Sequence, residues 1–221
     1  MRDSKFIAAA AGFVFLCSAT AIAISLSGGF GPRLESAPYL AVGKTLARQA
    51  LVLLKPGGLV TVITRDTAAF QNPATDLVLA GFKAELNKAR VNISAIETLQ
   101  IDPLRPMAVP AGDFAQWIKH ASKGSVIVSL MGPPVLNDTE LSQLGEIKPS
   151  IVAFCSGPVR DQVDLRVLFS QGLLQAAVVS KRAGLCKPSN SSNERALFDS
   201  RFVEVTSGNL TALSTVSNAS Q

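Results

Sequence analysis

Arg65 and Asp66 stand side by side directly after an apolar run, LVTVIT at 59–64. A guanidinium offers a planar fork of donors and a carboxylate offers acceptors, so the pair can grip a polar solute. Polar or small residues follow four more apolar runs in the same way: Asp102, Met131-Gly132, Ser156-Gly157 and Ser180-Lys181. In an open α/β sheet, ligands sit beyond the carboxyl ends of the strands. Thr64, Arg65, Asp66, Asp102, Gly132 and Ser156 are therefore the candidate ligand-binding residues. The plainer alternative for Arg65 and Asp66 is an exposed ion pair contributing about 0–1 kcal/mol, or Asp66 as a cap on the next segment.

No catalytic set accompanies these residues. Cys155-Ser156-Gly157-Pro158-Val159-Arg160 places a cysteine and an arginine between a strand and a helix, as a phosphatase anion loop does. That loop needs one more residue between Cys and Arg, and its thiolate needs an activating environment. Cys155 reads instead as a small buried residue. His120 is the single histidine; late in a helical pattern, it reads as a partner of the helix dipole or as simply exposed. One histidine excludes sites that need two, and three scattered cysteines make no structural zinc site. Neither G-x-G-x-x-G nor G-x-x-x-x-G-K-[ST] occurs, so nucleotide binding has no anchor. Lys55-Pro56-Gly57-Gly58 is similar to a loop late in class I methyltransferases. No acidic, Gly-rich cofactor loop precedes it here, and it reads as a helix stop and turn. The expectation is a protein that is not an enzyme, with no metal and no cofactor.

Composition narrows the class further. The chain has 221 residues, 48% of them hydrophobic, with a net charge of +5. It is too apolar for a disordered segment and too poor in cysteine for a disulfide scaffold. The cations are scattered without interleaved aromatics, which argues against nucleic acid as a partner. Asn92, Asn137, Asn190, Asn209 and Asn218 fit N-x-[ST] and read as chance matches. Cys155 and Cys186 fall near the ends of the fourth and fifth strands, and both the adjacency of those strands and the pairing of the thiols are left open by the sequence.

The N-terminus predicts a membrane-targeting segment. Arg2 and Lys5 precede 21 residues without a charge, 6–26. Roughly 20 apolar residues span a hydrocarbon core, and the run exceeds the usual signal-peptide apolar region. The expectation is an uncleaved single-pass anchor in the inner (cytoplasmic) membrane, with the rest of the chain facing the periplasm. The alternative is secretion after cleavage at Ala19-Thr20-Ala21 or Ala21-Ile22-Ala23. Cys17 follows Leu16 and reads as an ordinary residue of that segment, not a lipidation site. The domains expected are a signal anchor or signal peptide (1–27), a linker (28–38), an α/β domain (39–210) and a flexible tail (211–221).

Behind the candidate residues stand alternating elements. A helical stripe runs from Lys44 through Leu46, Ala47, Ala50, Leu51 and Leu54. A buried strand at 59–64 follows. Asn72-Pro73 pairs a helix cap with proline at the first helical position, ahead of Leu77, Val78, Gly81, Phe82 and Leu86. Residues 92–98 form the weakest strand. Phe114, Trp117, Ile118 and Ala121 make a helical stripe, and a strand occupies 125–130. Asn137 to Glu140 reads as a capping box. A fourth strand spans 150–154, a helix starts at Asp161, and a fifth strand spans 176–180. Residues 187–194 read as a polar loop, and 201–206 as an added edge strand. Five short apolar strands interleaved with helices predict a single doubly wound, mostly parallel five-stranded sheet, a Rossmann-like or flavodoxin-like lobe.

Several stretches resemble the C-terminal lobe of type I periplasmic binding proteins, the sugar-binding and LacI-like family. Tyr39-Leu40-Ala41-Val42-Gly43, followed by Ala47, Ala50 and Leu51, is similar to the crossover into that lobe and its first helix. The run Gly57-Gly58-Leu59-Val60-Thr61-Val62-Ile63 is similar to its first strand. Leu79-Ala80-Gly81-Phe82 with Leu86 resembles its Gly-Phe helix, and Phe198-Asp199, Val205-Thr206 and Asn209 its ending. The resemblance spans 38–210 and implies a solute-binding or sensing module that takes a small polar solute. The family's first lobe has no counterpart, and the membrane segment stands in its place. A lone lobe supplies half a clamp, so a homodimer or an envelope protein partner would complete the cleft. The alternative is a non-enzymatic envelope interaction protein that uses the same fold as a docking surface.

Overall fold

The structure, a computed structural model, describes residues 34–67, 71–100, 109–145, 148–182, 185–186 and 193–213. The predicted membrane segment with Cys17, the linker residues 28–33, Asp102 and the tail residues 214–221 lie outside the described residues. Among those described, no helix is long and apolar enough to cross a membrane.

Helix α1 (Ser36–Leu53) starts eight residues ahead of the predicted Lys44. Pro38 is no obstacle there, because first-turn N–H groups have no partner within a helix anyway. Strand β1 (Val60–Arg65) leads to α2 (Pro73–Lys88), whose cap is as expected: the Asn72 side chain accepts from Thr75 N–H at 3.2 Å. Strand β2 (Ile93–Leu99), α3 (Ala111–His120) and β3 (Val126–Ser129) follow. Helix α4 (Asp138–Ser142) carries the predicted capping box, with Asn137 and Glu140 exchanging two hydrogen bonds of 2.9 Å. Next comes β4 (Ser150–Cys155).

The helix expected from Asp161 is two short helices, α5 (Pro158–Gln162) and α6 (Leu165–Ser170). Val163 is extended between them, and Asp164 restarts the helix by accepting from Arg166 and Val167 N–H. Strand β5 (Ala176–Ser180) has the predicted bounds. Helix α7 (Glu194–Arg201), capped by Asn193, enters where the sequence pattern shows a polar loop running out. Strand β6 (Phe202–Thr206) and a 3-10 segment (Ser207–Leu213) close the described chain.

The strands form one six-stranded sheet in the order β2-β1-β3-β4-β5-β6. Strands β1 to β5 are parallel, and β6 joins β5 antiparallel as the edge strand, with Ser180 opposite Phe202. The first five follow the flavodoxin-like order, whose reversal falls between β1 and β3. Both faces are covered, so the central strands read as continuous apolar runs; β3 is buried at all four positions. Edge strand β2 is at best half-buried along its length, which is why its apolar pattern is the weakest.

Two cores flank the sheet. One joins α1, α2 and α7 through Leu46, Val62, Phe82, Phe198 and their neighbours. The other joins α3, α6 and the 3-10 segment through Phe114, Ile118, Leu168, Phe169 and their neighbours. Between α1 and α2, Arg48 and Lys88 both reach the Glu85 carboxylate at 3.0 Å. The hydrogen bond from Lys88, then that from Arg48, holds its pKa below the usual value against partial burial.

Candidate functional site

A parallel sheet ends its strands at one edge, and that edge here holds a cavity of about 300 Å³. Arg65 lines it from the end of β1, Leu130 and Met131 from the end of β3, and Ser156 from beyond β4. It straddles the β1/β3 reversal, where a doubly wound sheet opens a crevice that its loops leave unfilled. Ser180 reaches it from β5, and Phe202 reaches it because β6 runs antiparallel and begins at this edge.

Helices supply the remaining wall. Tyr39 comes from the first turns of α1, and Asn72, Ala74 and Thr75 from the N-terminus of α2. The Tyr39 and Phe202 rings meet edge-on with centroids 5.8 Å apart, as do Phe154 and Phe202 at 5.9 Å. The lining thus combines an aromatic cluster with a few polar side chains, the usual makeup of a small-molecule site.

The structure treats the six predicted residues unequally. Arg65 and Ser156 line the cavity, each half-buried. Thr64, beside Arg65, is 4% exposed, and its Oγ1 has no hydrogen-bond partner among the described residues. It is not part of the described cavity lining. Asp66 continues β1 past its end, its N–H donating to Leu99 O at 2.8 Å, with its side chain half-exposed. Gly132 turns the chain at φ +99°, and a Cβ there would sit 2.5 Å from Val159 Cγ1. It thereby makes room for Val159, which does line the cavity. Asp102 lies outside the described residues. Tyr39, Asn72 and Phe202 were missed as site residues. Tyr39 is legible only within the stretch that resembles the crossover into the lobe and Asn72 only as a helix cap, and the place of Phe202 depends on the strand direction of β6.

Neighbouring chemistry is structural. Cys155 is fully buried in the α3/α6 core, and burial alone pushes its thiol up to about 12. Arg160 turns from it to Asp161 (2.8 Å) and to Ser180 O (3.1 Å). Together with Arg182, Arg160 holds the Asp161 carboxyl below its usual range. Cys155 and Cys186 are both free thiols. We expect iodoacetamide at pH 8 to modify Cys186 in the folded chain and to reach Cys155 only in denaturant; peptide mass mapping reads the difference. With a folded pKa above the unfolded one, the Cys155 contribution is fully present below about pH 9 and is lost as pH rises toward 12. His120 Nδ1 lies 2.8 Å from Gln116 O on the exposed end of α3. Among the described residues, no group of three or more His, Cys, Asp or Glu side chains is placed to hold a metal.

No protein-family model matches the chain, and no curated protein matches it in sequence. Solved structures do match in fold. A carbohydrate transporter solute binding protein from Agrobacterium radiobacter, in complex with D-arabinose, superposes with a TM-score of 0.53 at 13% identity, over 81% of this chain and 63% of that one. An arabinose binding protein from Geobacillus stearothermophilus gives 0.49 at 16% identity, over 79% and 63%. The periplasmic component of a sugar transport system from Hahella chejuensis gives 0.43 at 16%, over 64% and 49%. The chain thus spans about half to two thirds of the length of these structures. Its fold resembles a single lobe of the type I periplasmic binding proteins.

Proposed function

We propose that this chain is a membrane-tethered, extracytoplasmic solute-binding or sensing module, with the carboxyl-edge cavity as its ligand site. The observation that carries the reading is the position of the cavity. It lies across the β1/β3 reversal, and polar side chains from three strand ends, Arg65, Ser156 and Ser180, line it. The fold likeness to sugar-binding proteins supports a solute-binding module, and the uncharged run at 6–26 supports the tether. A second copy of the chain or an envelope partner is the source we propose for the opposite wall of the cleft. The residues proposed to meet the ligand are Arg65 and Ser156, joined by Tyr39, Asn72 and Ser180.

The test is native mass spectrometry of the full chain from a mild detergent, followed by thermal melts with sugars, amino acids and small organic acids. A ligand at a hundred times its Kd adds about 2.7 kcal/mol to stability. For a chain of this size that raises Tm by roughly 5–10 °C. A retained small-molecule mass and such a rise would support the reading. An unliganded chain that no compound stabilises would overturn it.

A further inference from the structure

Charge divides unevenly over the cavity wall. Arg65 is the one charged side chain, and no carboxylate appears, among its described lining residues. Of the carboxylates in adjoining segments, Asp161 is held by Arg160 and Arg182, and Asp76, in the first turn of α2, accepts from the neutral Thr67 hydroxyl and keeps its charge. The N-terminus of the 16-residue helix α2 stands in the same wall through Asn72, Ala74 and Thr75, adding positive potential from its dipole. Leu130, Phe154, Val159 and Phe202 supply apolar lining to the same cavity.

We propose that the solute taken by this site is a small organic monocarboxylate with an apolar or aromatic body, not a neutral polyol. The inference rests on the reading of the cavity as a ligand site. Arg65 and the α2 N-terminus receive the carboxylate, and the aromatic wall receives the body. A guanidinium carries five donors in a fixed fork, so Arg65 serves a protein contact and a ligand oxygen together. A neutral polyol brings no charge to Arg65 and the α2 N-terminus, so it forgoes the charge-assisted hydrogen bonds that a carboxylate makes there.

The probe pair is phenylacetate and its neutral amide, with D-arabinose as the neutral polyol, titrated into the full chain and followed by the rise in Tm. The expected result is stabilisation by phenylacetate, with the amide bound about 10- to 100-fold more weakly, the usual cost of losing a charged hydrogen bond. Arg65→Gln should remove that discrimination, and Arg65→Lys should retain part of it. The carboxylate–amide comparison on the unmodified chain decides the matter even if Arg65→Gln fails to fold. Stabilisation by D-arabinose, or equal binding of acid and amide, would overturn the carboxylate assignment and leave the ligand site standing. No stabilisation by any of the three, nor by the wider panel above, would overturn the ligand-site reading itself.

Discussion

Replacing Gly81 with alanine is expected to lower stability by about 3 kcal/mol or more, the upper end of overpacking costs, and Tm by about 6–12 °C. A Cβ on Gly81 would stand 2.3 Å from Leu40 O, and one on Gly43 would stand 2.0 Å from Val78 O. Helices α1 and α2 therefore meet backbone to backbone at these two glycines, and no rotamer change can relieve a clash with a carbonyl. Alanine's better helix propensity returns only about 1 kcal/mol, so the clash decides the sign. Gly43→Ala should behave alike, and the double variant should cost less than the sum, since one parting of the helices relieves both contacts. Urea melts followed by circular dichroism measure this. A Gly81→Ala chain with unchanged stability would mean the helices do not touch there. The contact also gives a physical reason for the Gly81-Phe82 pair: glycine admits α1, and Phe82, fully buried, fills the space beside it.

Phe202→Ala is expected to cost about 3–5 kcal/mol and to abolish ligand stabilisation as well. Phe202 is 4% exposed and packs against Tyr39, Phe154 and Phe198, with ring centroids 5.8 to 5.9 Å away. It belongs to the core between α1 and α7 and also forms part of the cavity wall. Truncation would leave a hole continuous with the cavity, so water can enter and partly relieve the void. Phe202→Leu keeps most of the volume and should cost under about 1.5 kcal/mol while still weakening an aromatic ligand. Calorimetry with and without ligand separates the two effects. A loss below about 1 kcal/mol for Phe202→Ala would show that the aromatic cluster is not a packed unit.

Local signals made most of the framework legible. Asn72-Pro73 and Asn137 with Glu140 mark helix starts through caps formed by residues close in sequence, and both caps are present in the structure. Four apolar runs mark the buried parallel strands β1, β3, β4 and β5, because strands covered on both faces are apolar nearly throughout. Helix α7 escaped notice because it buries only Phe198, too little for a stripe. The helix expected from Asp161 divides because Asp161 lies inside the short α5, the chain turns extended at Val163, and Asp164 caps a new start.

By itself the sequence determined the α/β alternation, the caps and the strand ends at which a ligand would sit, because each depends on neighbours a few residues apart. Arg65 and Ser156 were found in that way. Only the tertiary structure decided the strand order, the antiparallel direction of β6 and the meeting of Tyr39, Asn72, Ser180 and Phe202 around one cavity. Those residues are brought together by pairing and packing across more than 160 positions of chain, and no local pattern encodes contacts at that separation.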